Sequence, residues 1–380
     1  MQGMAEPLKN LLDGSQVDAM AAHLSRVCHE FDREAFVARA RPGLDALAFK
    51  ARAMQLADAL EVALPADFDR AADALEASLA PVTAHDFDEP GELRTHALGL
   101  AGWPVWAMGE YVARRGQDLP DRALAALHAL TQRFSAEFAI RPFIVRHPAR
   151  VIATLQRWTT DRSAHVRRLV SEGSRPRLPW GLQLKALIAD PSPTLPLLEA
   201  LQDDPSGYVR RSVANHLNDI AKDHPARVAD WLQRHLPEAS AQRRALLRHA
   251  SRTLVKQGDV AVLAAWGLGQ PLQGRAVLRV TPASIRLGES VDLNLMLVST
   301  SPQPQRLVID YAVHHVKANG SSSPKVFKGW NLELAAGEHR AMLKRHAVKP
   351  ITTRTYHPGW HRITVQVNGQ AVAEGGFMLG

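Results

Sequence analysis

HVRRLVSEGSRPRLPW at His165–Trp180 and DPSGYVRRSVANHLNDIAKDHP at Asp204–Pro225 are the two stretches on which the reading of this chain turns. Each carries Val-Arg-Arg, at Val166–Arg168 and Val209–Arg211, a separation of 43 residues. A second string, His-Pro-Ala-Arg-Val, stands at His147–Val151 and His224–Val228, and each copy is followed by Leu-Gln-Arg, at Leu155–Arg157 and Leu232–Arg234. The chain therefore repeats itself at an interval long enough for two helices and their turns.

That interval is the period of HEAT and armadillo repeats, which bury a common core only by stacking on their neighbours. An all-α HEAT-like repeat solenoid is expected. Arg pairs at one place in successive repeats then form a ladder along the concave face, or sit on the outer surface, which such repeats also tolerate. Working outward, helical spacing persists to about residue 266, as in Ala51–Leu64 and Asp121–Phe134. Pro65, Pro120, Pro148 and Pro205 mark helix boundaries. A helix over Tyr208–Lys222 buries Val209, Val213, Leu217 and Ile220 and sets Arg211, Asn215 and Asp219 on a separate polar stripe. The character changes at the Gly-rich stretch Gly267–Gly274. Alternating β-type runs follow at Val277–Val280, Val291–Val298, Arg306–Val313, Trp330–Leu334 and Ile363–Val367, and an Asn368-Gly369 hairpin turn leads to Gln370–Glu374. The expected organisation is a helical domain over 1–266, a linker over 267–274 and an immunoglobulin-like β-sandwich over 275–380.

The single cysteine, Cys28, excludes a disulfide within the chain and a cysteine-based zinc site, which fits a reducing cytosol. The opening MQGMAEPLKNLLDG lacks a charged leader followed by an apolar run, and apolar runs elsewhere are broken before they could span a bilayer, so a cytoplasmic protein without a membrane segment is expected. No phosphate loop and no HExxH occur, and the 17 His show no metal-ligand spacing: between His357 and His361, Pro358-Gly359 precludes a shared helical face. No metal and no cofactor are expected. Charge is uneven. Residues 1–140 hold 13 Lys/Arg and 21 Asp/Glu, residues 141–256 hold 20 and 10, and residues 257–380 hold 13 and 7. An acidic head beside a basic middle and tail points to a polyanionic partner, or to a basic surface that is merely solvated.

The strings FDREAFVARARPGLDALAFKARAMQLADAL (Phe31–Leu60), RFSAEFAIRPFIVRHPARV (Arg133–Val151) and the two quoted first, with the opening MAEPLKNLLDG (Met4–Gly14), resemble the AlkC-type alkylation-repair DNA glycosylases. Some members of that family carry an Ig-like domain after their HEAT-like repeats. The resemblance covers residues 4–260. It implies excision of N-alkylated bases such as 3-methylcytosine and 1-methyladenine, with 3-methyladenine a further candidate, from bent duplex DNA. It also implies no cofactor or metal and no extrusion of the base, unlike most glycosylases.

Such chemistry needs carboxylates to stabilise an oxocarbenium-like sugar and align a water, and an aromatic face for a cationic nucleotide. The resemblance places a DNA-facing carboxylate at Glu137, although Arg133 and Arg141, four residues to either side, offer a plain ion-pair explanation. Glu172 ends a helix before Gly173, where a carboxylate is electrostatically unwelcome, and Arg168 offers it the same ordinary pairing. Trp180 closes a Pro-punctuated loop and either plugs a gap or presents its π-face. Asp219, on the polar stripe, is the first choice: the resemblance implies a carboxylate here that acts at the lesion, and plain solvation of the stripe is the alternative. Arg141, Arg167, Arg168, Arg175, Arg177, Arg210 and Arg211 are expected at phosphates. In the sandwich, Lys344, Arg345, Lys349 and Arg354 crowd around Tyr356 and Trp360, as a loop reaching a groove or as a basic strand edge that discourages aggregation. The expected partner is double-stranded DNA carrying alkylated bases, bound by a monomer. The alternatives are a helical-repeat adaptor for other proteins and a damaged-DNA binder without catalysis.

Overall fold

A computed structural model describes residues 11–82, 93–268, 270–351 and 354–380. The Met4–Asn10 part of the opening string, Gly269 of the expected linker, and Thr352 and Thr353 of the basic sandwich segment lie outside the described residues. The helices run in order α1 (Gly14–Val27), α2 (Arg33–Ala40), α3 (Phe49–Ala63), α4 (Phe68–Ala77), α5 (Pro104–Arg115) and α6 (Pro120–Thr131). They continue as α7 (Arg141–Arg146), α8 (Pro148–Trp158), α9 (Ala164–Gly173), α10 (Lys185–Ala189) and α11 (Leu195–Leu201). The last are α12 (Gly207–Ile220), α13 (Pro225–His235), α14 (Ala241–Ala250), α15 (Arg252–Gln257) and α16 (Val260–Ala265). Among the described residues no helix is long and apolar enough to cross a membrane.

Local chemistry explains many of these boundaries. Asp13, Asp32, Asp67 and Asp259 cap α1, α2, α4 and α16 by accepting backbone N–H groups. Proline opens α5, α6, α8 and α13, where the missing N–H costs nothing. The repeated His-Pro-Ala-Arg-Val is one structural device used twice: His147 and His224 take up nearly the same cap conformation (φ −131°, ψ 52° and φ −133°, ψ 63°) before Pro148 and Pro225 start α8 and α13.

The chain divides into two compact units. The first comprises Met1–Asp223 with Ala241–Ala250, and the second His224–Ser240 with Ser251–Gly380. Packing therefore assigns α13, α15 and α16 to the unit that holds the strands, whereas helix gives way to strand only between Ala265 and Gly274. In the first unit α3 packs on α5, α5 on α6, α6 on α9, α9 on α12 and α12 on α14, the succession expected of stacked helix pairs. In the second unit the strands β1 (Gly274–Thr281), β3 (Ser290–Ser299) and β6 (His339–Ala347) form one sheet. A second sheet has the order β2 (Ser284–Ile285), β8 (Gln370–Leu379), β7 (Gly359–Val367), β4 (Gln305–Val316) and β5 (Ser322–Leu334). Alternate side chains such as Leu293, Leu295, Ile309, Val365 and Phe377 fill the core. The expected hairpin is present. Asn368 (φ 49°) and Gly369 (φ 80°) join β7 to β8 with two left-handed residues, the geometry that favours Asn-Gly.

The sequence reading missed β6. That strand carries Lys344 and Arg345 along a sheet edge, so the basic segment is in part an edge strand. Lys344 donates to the Gly329 carbonyl (3.2 Å), and Arg345 and Lys349 are exposed. Arg354 lies 5.9 Å from the ring centre of Tyr356.

Candidate active site

The two Val-Arg-Arg copies begin their helices in the same way. Asp161 and Asp204 each accept the backbone N–H two residues on (2.8 Å for both) at the entries to α9 and α12. The first Arg of each pair then reaches back to its own helix entry. Arg167 donates to the carbonyls of Asp161 (2.8 Å) and Arg162 (3.0 Å), and Arg210 to those of Asp204 and Pro205 (2.8 Å for the latter). Arg167 also grips the Asp204 carboxylate through two bonds (2.6 and 3.0 Å), tying one repeat to the next. The expected Arg ladder is corrected here: buried Arg167 is an internal staple and is not placed at a phosphate, and half-buried Arg210 spends Nη1 on the turn. Of the second arginines, Arg211 is exposed and Arg168 is turned toward neighbouring carboxylates.

A cleft of about 840 Å³ opens beside these helices. Trp103, Trp106, Phe134 and Phe138 line it with aromatic surface, and Glu137, Arg168, Glu172, Arg175, His165 and Tyr208 supply polar groups. Trp180 also lines it, 66% exposed and at φ 63°, a left-handed conformation that a non-glycine residue adopts at a cost. Its carbonyl accepts from Lys50 (3.1 Å).

Glu137 sits in the turn between α6 and α7, so no helical face exists for the expected pairing with residues four away. Its Oε2 accepts from Arg168 (2.7 Å) and Ser135 (2.8 Å), while Oε1 has no hydrogen-bond partner among the described residues. Glu172, at the end of α9, accepts from Arg175 (2.6 Å) and Ser212 (2.6 Å), with Arg168 at 3.6 Å. Burial pushes Glu172 up, but Arg168, Arg175 and the hydrogen bond from Ser212 outweigh it and hold its carboxyl below the usual range. It is ionised at neutral pH.

Asp219 departs from the sequence expectation. Its stripe on α12 is not an open surface: Asp219 is 1% exposed, with Arg175 on one oxygen (2.8 Å) and Lys222 on the other (2.9 Å). Arg175, reaching across from the end of α9, is what covers it, and Arg175 rather than Asp219 lines the cleft. Arg175 is thus corrected from phosphate contact to a buried bridge between two carboxylates. Arg141 is corrected likewise. It is fully buried and donates to the carbonyls of Leu182 (2.5 Å) and Gly173 (2.9 Å), joining the Trp180 loop to the end of α9. Its guanidinium is lowered to about 10 by burial and the neighbouring Arg175. Arg177, more exposed, makes a two-bond pair with Asp223 (2.7 and 2.8 Å).

Four expected site residues therefore converge, three on the cleft and Asp219 directly behind Arg175. The sequence reading missed His165 and Tyr208, although a signal existed: each is the residue just before Val-Arg-Arg in its repeat. It also missed the Trp103/Trp106 wall, spaced three apart on one helix turn. Among the described residues no group of three or more His, Cys, Asp or Glu is placed to hold a metal ion; His361 hydrogen-bonds the His357 carbonyl instead (3.0 Å).

Residues 133–254 match the family described as DNA alkylation repair enzyme, and residues 275–380 match the C-terminal Ig-like domain of the uncharacterised protein YhaZ. YhaZ of Bacillus subtilis (strain 168) is 40% identical over 281 residues, spanning 72% of this chain and 76% of that protein. The structure of the Pseudomonas fluorescens alkylpurine DNA glycosylase AlkC, bound to DNA containing an abasic site analog, superposes with a TM-score of 0.85 at 36% identity, covering 99% of this chain and all of that one. The chain belongs to the AlkC family of alkylation-repair DNA glycosylases. Within this AlkC-family chain the alkylation-repair match contains Glu137, Glu172, Trp180 and Asp219, but not the Trp103/Trp106 wall of the same cleft.

Proposed function

We propose that this AlkC-family chain is a monofunctional glycosylase that hydrolyses the N-glycosidic bond of cationic alkylated bases in duplex DNA, with 3-methylcytosine and 1-methyladenine as substrates and the base left in the stack. The observation that carries the reading is the convergence of Glu137, Glu172 and Trp180 on one cleft, with Asp219 immediately behind. A cationic base departs with the electron pair of the breaking N–C1′ bond and becomes neutral. Water adds to C1′ and gives up its proton. The enzyme must offset positive charge on the sugar and hold that water, and arginine-paired carboxylates are suited to both tasks. The Trp180 face and the Trp103/Trp106 wall suit a flat cationic nucleotide. Exposed Arg211, with half-buried Arg177 and Arg210, supplies phosphate contacts from the helical unit, and Arg345, Lys349 and Arg354 from the sandwich.

Purified full-length protein incubated with duplex containing 3-methylcytosine is expected to release free base. D219N is expected to abolish release while sparing duplex affinity; a fully active D219N overturns that assignment. Tight binding to damaged duplex without release identifies a non-catalytic binder, and no duplex binding identifies an adaptor.

A further inference from the structure

We infer that Arg168 and Tyr208 are positioning residues that hold Glu137 in its working orientation, and that Arg168 makes no phosphate contact. The inference rests on the glycosylase reading above and adds the internal support of its cleft.

Arg168 is only 17% exposed, and its guanidinium is engaged on edge and face. Along the edge, Nη1 donates to Glu137 Oε2 (2.7 Å) and to the Ser135 hydroxyl (2.8 Å), and that hydroxyl donates to the same Oε2 (2.8 Å). The three groups close a triangle that saturates one carboxylate oxygen and leaves the other without a partner among the described residues. Two donors on a single oxygen fix its position but leave the carboxylate free to swing with the arginine plane. The face of the guanidinium removes that freedom. Tyr208, from the start of α12, lies with its ring centre 5.0 Å from Arg168 Cζ, and His165 stands edge-on to Tyr208 (5.8 Å, 78°). A planar cation over an aromatic face resists rotation about its own axis, which an ammonium could not. Tyr208 is thus joined to Glu137 through Arg168, across a repeat boundary. Burial pushes its phenol up, so the ring meets the cation as a neutral face.

A phosphate contact and a positioning residue respond differently to substitution, so R168K, Y208F, Y208L and E137Q are compared in the full chain. Base release is measured in single turnover, and Kd is measured across a salt series on duplex bearing an abasic-site analogue. R168K keeps the charge but loses the fork and the stacked face. Its release rate is expected to fall by about 10- to 100-fold, with the salt slope unchanged. Y208L is expected to lose a similar factor at constant Kd, Y208F no more than about 3-fold, and Y208L/E137Q no more than E137Q alone, because both act on one carboxylate. R168K at near-wild-type rate, or an Arg168 variant whose salt slope drops by about 1, identifies a phosphate contact and overturns the inference. So does a multiplicative loss in Y208L/E137Q. A wild-type chain that releases no base overturns the glycosylase reading itself, whereas an active wild type indifferent to Y208L overturns only the positioning role.

Discussion

The helical unit buries ions in partnership beside a neutral imidazole, His216, and the strand unit buries imidazoles left neutral with no such ion network beside them among the described residues. Beneath the cleft, Glu172 and Asp219 share Arg175, and Arg167 is locked to Asp204. In the sandwich, His315 has both ring nitrogens without a hydrogen-bond partner among the described residues, and His346 has one, its other nitrogen meeting the Tyr311 hydroxyl (3.1 Å). Burial, reinforced by Arg354, lowers His315 to about 3 and His346 to about 4. A neutral imidazole fills a core at far lower cost than its charged form, although each buried ring nitrogen without a partner still costs about 1–3 kcal/mol. Paired ions give up solvation wherever both partners are charged and recover it only in good geometry. The difference separates a unit whose interior holds charged groups in place beneath a cleft from one whose interior mainly fills space.

Breaking the ionic side is expected to have the largest effect. Arg175→Met removes the cation that Glu172 and Asp219 share, leaving Arg168 at 3.6 Å from one and Lys222 on the other, so urea denaturation of the helical unit is expected to show a loss of about 3–5 kcal/mol. A loss under about 1 kcal/mol would rank this network with ordinary surface pairs. Next comes acid. His315 and His346 bind protons below about 6.5 in the unfolded chain but only near 3 and 4 in the folded one, so the sandwich is expected to lose stability as pH falls from about 6.5 toward 4. H346F should flatten that slope in denaturant titrations. His216, lowered to about 4 by burial, adds the same trend to the helical unit, where Glu172 adds stability above its unfolded value that is lost as pH falls further. A smaller effect is expected at the strained loop. Trp180→Gly relieves a left-handed residue worth about 1–2 kcal/mol, so the thermal midpoint should hold or rise while base release falls. An unchanged release rate would remove Trp180 from the site. Smallest is the sandwich edge: R345A/K349A is expected to reduce the salt slope of duplex binding by about 1–2, against no change if β6 is only a guarded edge.

Much of the architecture was legible because its causes are local. Proline at a first helical turn, His-Pro at a repeated cap and Asn-Gly between two alternating runs are settled within a few residues. Four members of the site were legible through the family resemblance, but its aromatic wall, His165, Tyr208 and its arrangement were not. Asp219 was assigned to an open stripe because a single helix shows only its own faces, and nothing in VANHLNDI reveals that Arg175 lies over it. Arg141 and Arg167 looked like phosphate ligands because charge in a sequence carries no sign of burial. β6 was missed because three of its four inward positions, Arg340, Lys344 and His346, are polar, so no apolar alternation marks the strand.

The sequence by itself determined where many helices start, that two repeats share one design, that strands follow helices, and which acids belong with Trp180. Only the tertiary structure decided which of those charges faces the cleft and which faces another charge. Caps and turns close over two to four residues, whereas the contacts that decide the site, Arg168 to Glu137, Ser212 to Glu172 and Arg175 to Asp219, join residues 31, 40 and 44 positions apart. A side chain's electrostatic role is set by whichever groups packing brings to it.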